Sequence, residues 1–186
     1  MGSGVPQRTP STRLSFSGAL SLVAVVAVLV VVSVPRLRGL ALLENEADAR
    51  STAQLLVAAL RDAHGSAAPA CLGELLDEKG LVVPDAELLG RGALLRRHGY
   101  LFELTRTPLE LSFACAPLFV SGRSPELGLV NAVRAWPWKH GATGCAAFLA
   151  TESGALFVHG NVGALWDGPS AAERGTEGAL GWTRLP

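Results

Sequence analysis

With 186 residues and 16 basic side chains balanced by 16 acidic ones, the chain has no charge surplus to draw it to nucleic acid. Its aromatic share of 6% is too low for base-stacking platforms. Setting aside about 35 residues of tail and apolar segment leaves roughly 150, enough for one small domain with its own core.

Residues 1–13, MGSGVPQRTPSTR, are polar, carry Arg8 and Arg13 and contain two prolines; they read as a disordered basic tail. Residues 14–34, LSFSGALSLVAVVAVLVVVSV, hold no charge, and 13 of the 21 are Leu, Val or Phe. A helix of that length is roughly 31 Å long, about the thickness of a bilayer's hydrocarbon core. Its strong apolar residues favour insertion by on the order of 5 kcal/mol. A buried core helix is the alternative, but a soluble helix normally keeps one polar face. The run is longer than a signal peptide's apolar core, and Val34-Pro35-Arg36 follows rather than a small-residue cleavage pattern, so a retained signal anchor is expected. Arg8 and Arg13 before the span balance Arg36 and Arg38 after it. Only the α-amino group then tips the N-terminus toward the cytoplasm, with the C-terminal domain outside.

Residues 35–64 read as an amphipathic helix that continues the span, loosened near Pro35 and Gly39. Ala49, Ala53, Leu56 or Val57, and Leu60 recur at helical steps and give one apolar face. Glu46 and Arg50 form a favourably ordered i,i+4 pair, and Gly65 is a C-cap signal. Residues 65–98 read as a linker with short helical turns. One carries Leu72, Leu75 and Leu76 and ends at Gly80. Another opens at Pro84-Asp85 and carries Leu88 and Leu89.

Residues 99–186 change period and read as an antiparallel β-rich domain. Tyr100, Phe102 and Leu104 alternate with Leu101, Glu103 and Thr105, a half-buried strand. After Pro108, the alternation of Leu109, Leu111 and Phe113 suggests its hairpin partner, and residues 121–128 a loop. Leu129 to Trp136 is a third strand, ended by Pro137. Ala146 to Ala150 and Ala155 to His159 form a further pair around the turn Thr151-Glu152-Ser153-Gly154. Residues 160–186, with Trp166 and Trp182, carry no clear period and either complete the sheet or wrap over it. The expected class is α+β, with the long helix on one face of a small antiparallel sheet.

These residues resemble type IV pilin-like proteins, the pilins and the pseudopilins of type II secretion. Pro35 falls on the family's proline and aligns the span without a gap. LENEADARSTAQLL looks like the family's helix beyond the membrane. GYLFEL and AWPWKHGATGCAAFLATESGALF are similar to the sheet of a Gly-Tyr-x-Phe subgroup, through Gly99, Tyr100, Phe102, Ala135, Pro137, Thr143, Gly144, Phe148 and Gly154. The resemblance covers roughly residues 13–159. It departs at the processing site: Arg13 stands where the family has its cleavage glycine, and Gly18 where it has the glutamate that pairs inside filaments. An alternative alignment cuts before Phe16, after Ser15, and then Leu20 replaces the glutamate. The resemblance therefore implies a pilin-like architecture but not processing or filament incorporation.

No local pattern announces chemistry. His64, His98, His140 and His159 sit in no ligand spacing, and no nucleophile elbow or phosphate loop occurs. No cofactor, metal or catalytic set is expected. Trp136, Trp138, Lys139 and His140 form either a candidate binding surface or a loop whose tryptophans cap the sheet edge. Cys71, Cys115 and Cys145 are spaced 44 and 30 residues apart, which matches no zinc pattern and is too sparse for a disulfide scaffold. Cys115 and Cys145 are a candidate disulfide if the domain is extracytoplasmic, closing a loop of about 30 residues for roughly 3–4 kcal/mol. The alternative is buried thiols acting as small apolar side chains. The leading functional expectation is a non-enzymatic membrane component. It meets lipid and other pilin-like subunits or assembly proteins, and small residues such as Ser21, Ala24, Ala27 and Ser33 permit close helix contact. The alternative is a membrane-tethered binding domain using the Trp-rich loop, and a membrane-anchored enzyme stands third.

Overall fold

The computed structural model of the chain describes residues 16–63, 69–108, 129–173 and 181–186. The basic tail, Gly65, the Leu109–Phe113 alternation, the 121–128 loop and Cys115 lie outside the described residues. Helix α1 (Phe16–Asp62) runs 47 residues with Pro35 inside it. Pro35 therefore does not end the helix, although it removes one backbone donor. The chain divides into two units between Gly39 and Leu40. In the first, every described side chain from Ala19 onward is exposed, including Val23 at 65% and Val31 at 72%. This stretch of α1 is long and apolar enough to cross a membrane, and no residue of its apolar window is buried.

In the second unit the expected stripe is the packed one. Ala49, Ala53, Leu56, Val57, Leu60 and Ala63 are all buried. They face Leu95, Tyr100, Phe102, Val133, Ala135, Phe148 and Ala150 of the sheet. Fully burying each larger side chain stabilises by about 1.5–3 kcal/mol. Helix α2 (Leu72–Lys79) adds Leu72, Leu75 and Leu76 to the same core, and Gly80 ends it in a left-handed cap, as the sequence implies.

Among the described residues the sheet is a seven-stranded antiparallel meander in chain order. Its strands are β1 (Ala86–Leu89), β2 (Leu94–Arg97), β3 (Tyr100–Pro108), β4 (Leu129–Pro137), β5 (Ala147–Thr151), β6 (Leu156–His159) and β7 (Thr183–Arg184). The fold is α+β, one long N-terminal helix packed against this sheet. Two readings are corrected. Residues 86–89 form β1, not a helical turn, and pair with β2 from Ala86↔Arg97 to Leu89↔Leu94. Strand β3 is buried on both faces, not one: Leu101 is as fully enclosed as Tyr100 and Phe102.

The second face has its own core. Leu94, Leu101, Trp136 and Ala147 pack with Trp166 and Ala171, and Ala132, Leu149, Ala155 and Phe157 form a neighbouring cluster that Trp182 touches. The C-terminal segment thus does both things the sequence left open. Residues 165–171 cover the sheet, and β7 extends it beside β6 through Phe157↔Arg184 and Val158↔Thr183.

Candidate functional site

Where α1 reaches the sheet, its polar residues hold two loops. Asn45 Nδ2 donates to the Thr143 carbonyl at 2.9 Å. Glu46 Oε1 accepts the backbone N–H groups of Cys145 and Ala146 at 2.9 and 3.3 Å. One turn on, the Asp48 carboxylate meets Arg97 at 3.1 Å and His98 at 3.1 Å, and Arg97 donates to Thr52 Oγ1 at 2.6 Å. Glu46 and Arg50 are arranged differently from the expected side-chain pair. The Glu46 carboxylate turns to the β4–β5 loop. Arg50 donates to the Glu46 carbonyl at 3.3 Å and lies 5.3 Å from the Phe148 ring centre.

Of the residues that carry the pilin resemblance, Gly99, Tyr100, Thr143, Gly144 and Phe148 converge on this same place. Tyr100 donates to the Ala146 carbonyl at 3.0 Å, and its ring lies 6.0 Å from that of Phe148. Gly144 lies against that ring so closely that a Cβ there would overlap it. Gly99 has φ 78°, and a Cβ on it would fall 2.6 Å from Thr143 Cβ. His98 and Gly99 both hold positive φ, as the tight two-residue hairpin between β2 and β3 requires. Ala135 is buried under the helix beside Phe102 and Phe148, which it pairs with on either side. Pro137 closes β4 opposite Tyr100. Gly154 turns β5 into β6, at φ 84°. Burial drives the Tyr100 hydroxyl well above the usual phenol range; Glu46 and Cys145 push the same way, and Arg50 opposes them.

The tryptophan surface separates into buried and exposed parts. Trp136 has no exposed surface, so it neither binds at the surface nor caps an edge. Its indole donates to the Gly168 carbonyl at 2.9 Å. Trp138 is half-buried beneath the Arg96 guanidinium, 4.5 Å from the ring centre. Lys139 is exposed and opens a turn in which Thr143 N–H donates to its carbonyl at 2.9 Å. The His140 N–H donates to Asp167 Oδ1 at 2.7 Å. Cys145 is exposed and Cys71 half-buried, both as free thiols, so neither fills the core as a small apolar side chain.

Chain comparisons with protein-family models, with curated proteins and with solved structures gave no match. The site is therefore read from its own residues. Among the described residues no group of three or more His, Cys, Asp and Glu side chains is placed to hold a metal. One open cleft of about 680 Å³ is lined by Cys71, Glu74, Asp77, Glu78, Leu88 and Arg91 and by no tryptophan. What the arrangement does is mechanical. It fastens the start of the amphipathic half of α1 to the β2–β3 and β4–β5 turns by charged and backbone hydrogen bonds.

Sequence reasoning missed Asn45, Asp48 and Thr52 as loop-holding residues, and Glu46 in its true role. A signal was present: four hydrogen-bonding side chains occupy positions 44–46 and 48, just before the buried stripe begins at Ala49.

Proposed function

We propose that this chain is a single-pass, membrane-anchored structural component with a pilin-like layout. In this reading it assembles laterally with pilin-like subunits or assembly proteins of a pilus-like or secretion-like system. The observation that carries the reading is the division of labour along α1: bare apolar side chains from Ala19 onward, then a buried stripe from Ala49 against an antiparallel sheet. A helix apolar all round needs lipid or other helices. Among the described residues both faces of the sheet are packed, so this reading assigns association to the helix. The N-terminus faces the cytoplasm and the sheet domain lies outside it. The convergence of Gly99, Tyr100, Thr143, Gly144 and Phe148 on one cluster gives the family-like residues a shared physical purpose, which supports the pilin reading.

The alternative, a tethered binding domain, has less support, because Trp136 is enclosed and one face of Trp138 is taken by Arg96. Affinity purification of the full chain from its own membranes in mild detergent tests the proposal. Recovery of other single-span chains with a similar N-terminal helix is expected. Recovery of the chain alone, as a monomer, contradicts it. Mass spectrometry of the N-terminus adds a second reading. With Arg13 and Gly18 at the processing positions, the residues before the span should be retained; loss of 13 or 15 residues with N-methylation would contradict that.

A further inference from the structure

The apolar surface of α1 does not stop at Pro35. Leu37, Leu40 and Leu43 are 63, 63 and 61% exposed, as bare as Leu20 at 62%. From Phe16 to Leu43 there is no acidic residue, and the only charges are Arg36 and Arg38; Glu44 is the first carboxylate. Among the described residues the helix's hydrogen bonds to the sheet loops begin only at Asn45 and Glu46. About 28 helical residues from Phe16 to Leu43 extend about 42 Å. That exceeds a hydrocarbon core of about 30 Å and matches the core plus its headgroup layers, about 40–45 Å.

The distribution around the axis says what covers this segment. At about 100° per residue, Leu37, Leu40 and Leu43 fan across about 120° of the helix surface, and Leu42 lies on a further side. Arg36 and Arg38 project about 160° apart at nearly the same height. A partner helix requires one apolar stripe with charges on the opposite side. Here Arg36 falls within the leucine fan and Arg38 on the other side, so no apolar face is free of charge, which fits a lipid headgroup layer instead. There leucines enter the acyl boundary while guanidinium groups reach phosphate oxygens.

Resting on the reading of α1 as a membrane span, we propose that residues 36–43 form a lipid-headgroup collar. Arg36 and Arg38 bind phosphates of anionic lipid, and Leu37, Leu40 and Leu43 are immersed at the interface, so that water begins at Glu44.

The test uses the full chain in vesicles of phosphatidylglycerol and phosphatidylcholine, with Cys71, Cys115 and Cys145 replaced by serine. A fluorophore is placed singly through Val26→Cys, Leu40→Cys, Leu43→Cys or Leu55→Cys, and circular dichroism checks each fold. Tail-brominated lipid should quench the label at position 26. Headgroup-attached quencher should quench positions 40 and 43 several-fold more than position 55, and Arg36→Gln with Arg38→Gln should lower that signal. If position 26 is quenched while 40 and 43 match 55, the collar is wrong although the span stands. If position 26 escapes quenching, the span itself is wrong. Disulfide-linked dimers through position 40 without headgroup quenching would assign the surface to a second copy and overturn the proposal. Unchanged quenching in the double glutamine variant would overturn the arginine–phosphate contact.

Discussion

Tyr100 is the only tyrosine in the chain, so tyrosinate absorbance reports one hydroxyl. In the unfolded chain that group ionises near pH 10, whereas burial keeps it protonated to higher pH in the fold. Above about pH 10 the unfolded state therefore holds fewer protons than the native one, and stability falls as pH rises. Below that range the contribution is fully present. Tyrosinate absorbance should appear together with unfolding, not before it; a tyrosinate signal near pH 10 with circular dichroism unchanged would contradict the enclosed hydroxyl. Tyr100→Phe keeps the ring against Phe148 and Gly144 but gives up the bond to Ala146. It should cost about 1 kcal/mol in denaturant melts and flatten the alkaline loss. Glu46→Ala leaves two backbone donors of the β4–β5 loop without their acceptor. It should cost about 1–3 kcal/mol, and Glu46→Gln, which keeps an acceptor oxygen, distinctly less.

Within α1, adjacent residues have opposite fates. Leu56 has no exposed surface, while Leu55 is 43% exposed. Leu56→Ala should destabilise by about 2–5 kcal/mol through the cavity it opens, and Leu55→Ala should stay within about 0.5 kcal/mol, both read by chemical denaturation. Near-equal losses would contradict the packing of the stripe. This helix was legible because Ala49, Ala53, Leu56 and Leu60 repeat at helical spacing over several turns. Strands β3 to β6 were legible because Tyr100-Phe102 and its successors alternate. Strand β1 was not, because Ala86, Glu87, Leu88 and Leu89 are helix formers, and pairing with β2 overrides their preference. The loop-holding role of Glu46 was not legible either, since its partners, Cys145 and Ala146, lie about 100 residues away. Trp166, fully enclosed over the second face, sits in a Gly-rich stretch with no period to reveal it. Trp166→Ala should cost about 3–5 kcal/mol.

At the scale of the whole molecule, the chain divides into two units between Gly39 and Leu40, and the first holds an apolar helical stretch long enough to cross a membrane. Among the described residues of the first unit, every side chain from Ala19 onward is exposed, and in the second unit α1 buries its stripe against a sheet whose faces are both packed. Mutations in one unit should therefore leave the other's property intact: Leu56→Ala should weaken the domain without releasing the chain from membranes. The sequence made the apolar run plain through its composition alone, while the closure of the sheet's second face depends on contacts that no short window contains. The measurement that bears most directly on this account is alkaline carbonate extraction of membranes carrying the full chain. The chain should remain in the membrane pellet, as an integral span does. Its quantitative release into the soluble fraction, still folded, would contradict the account.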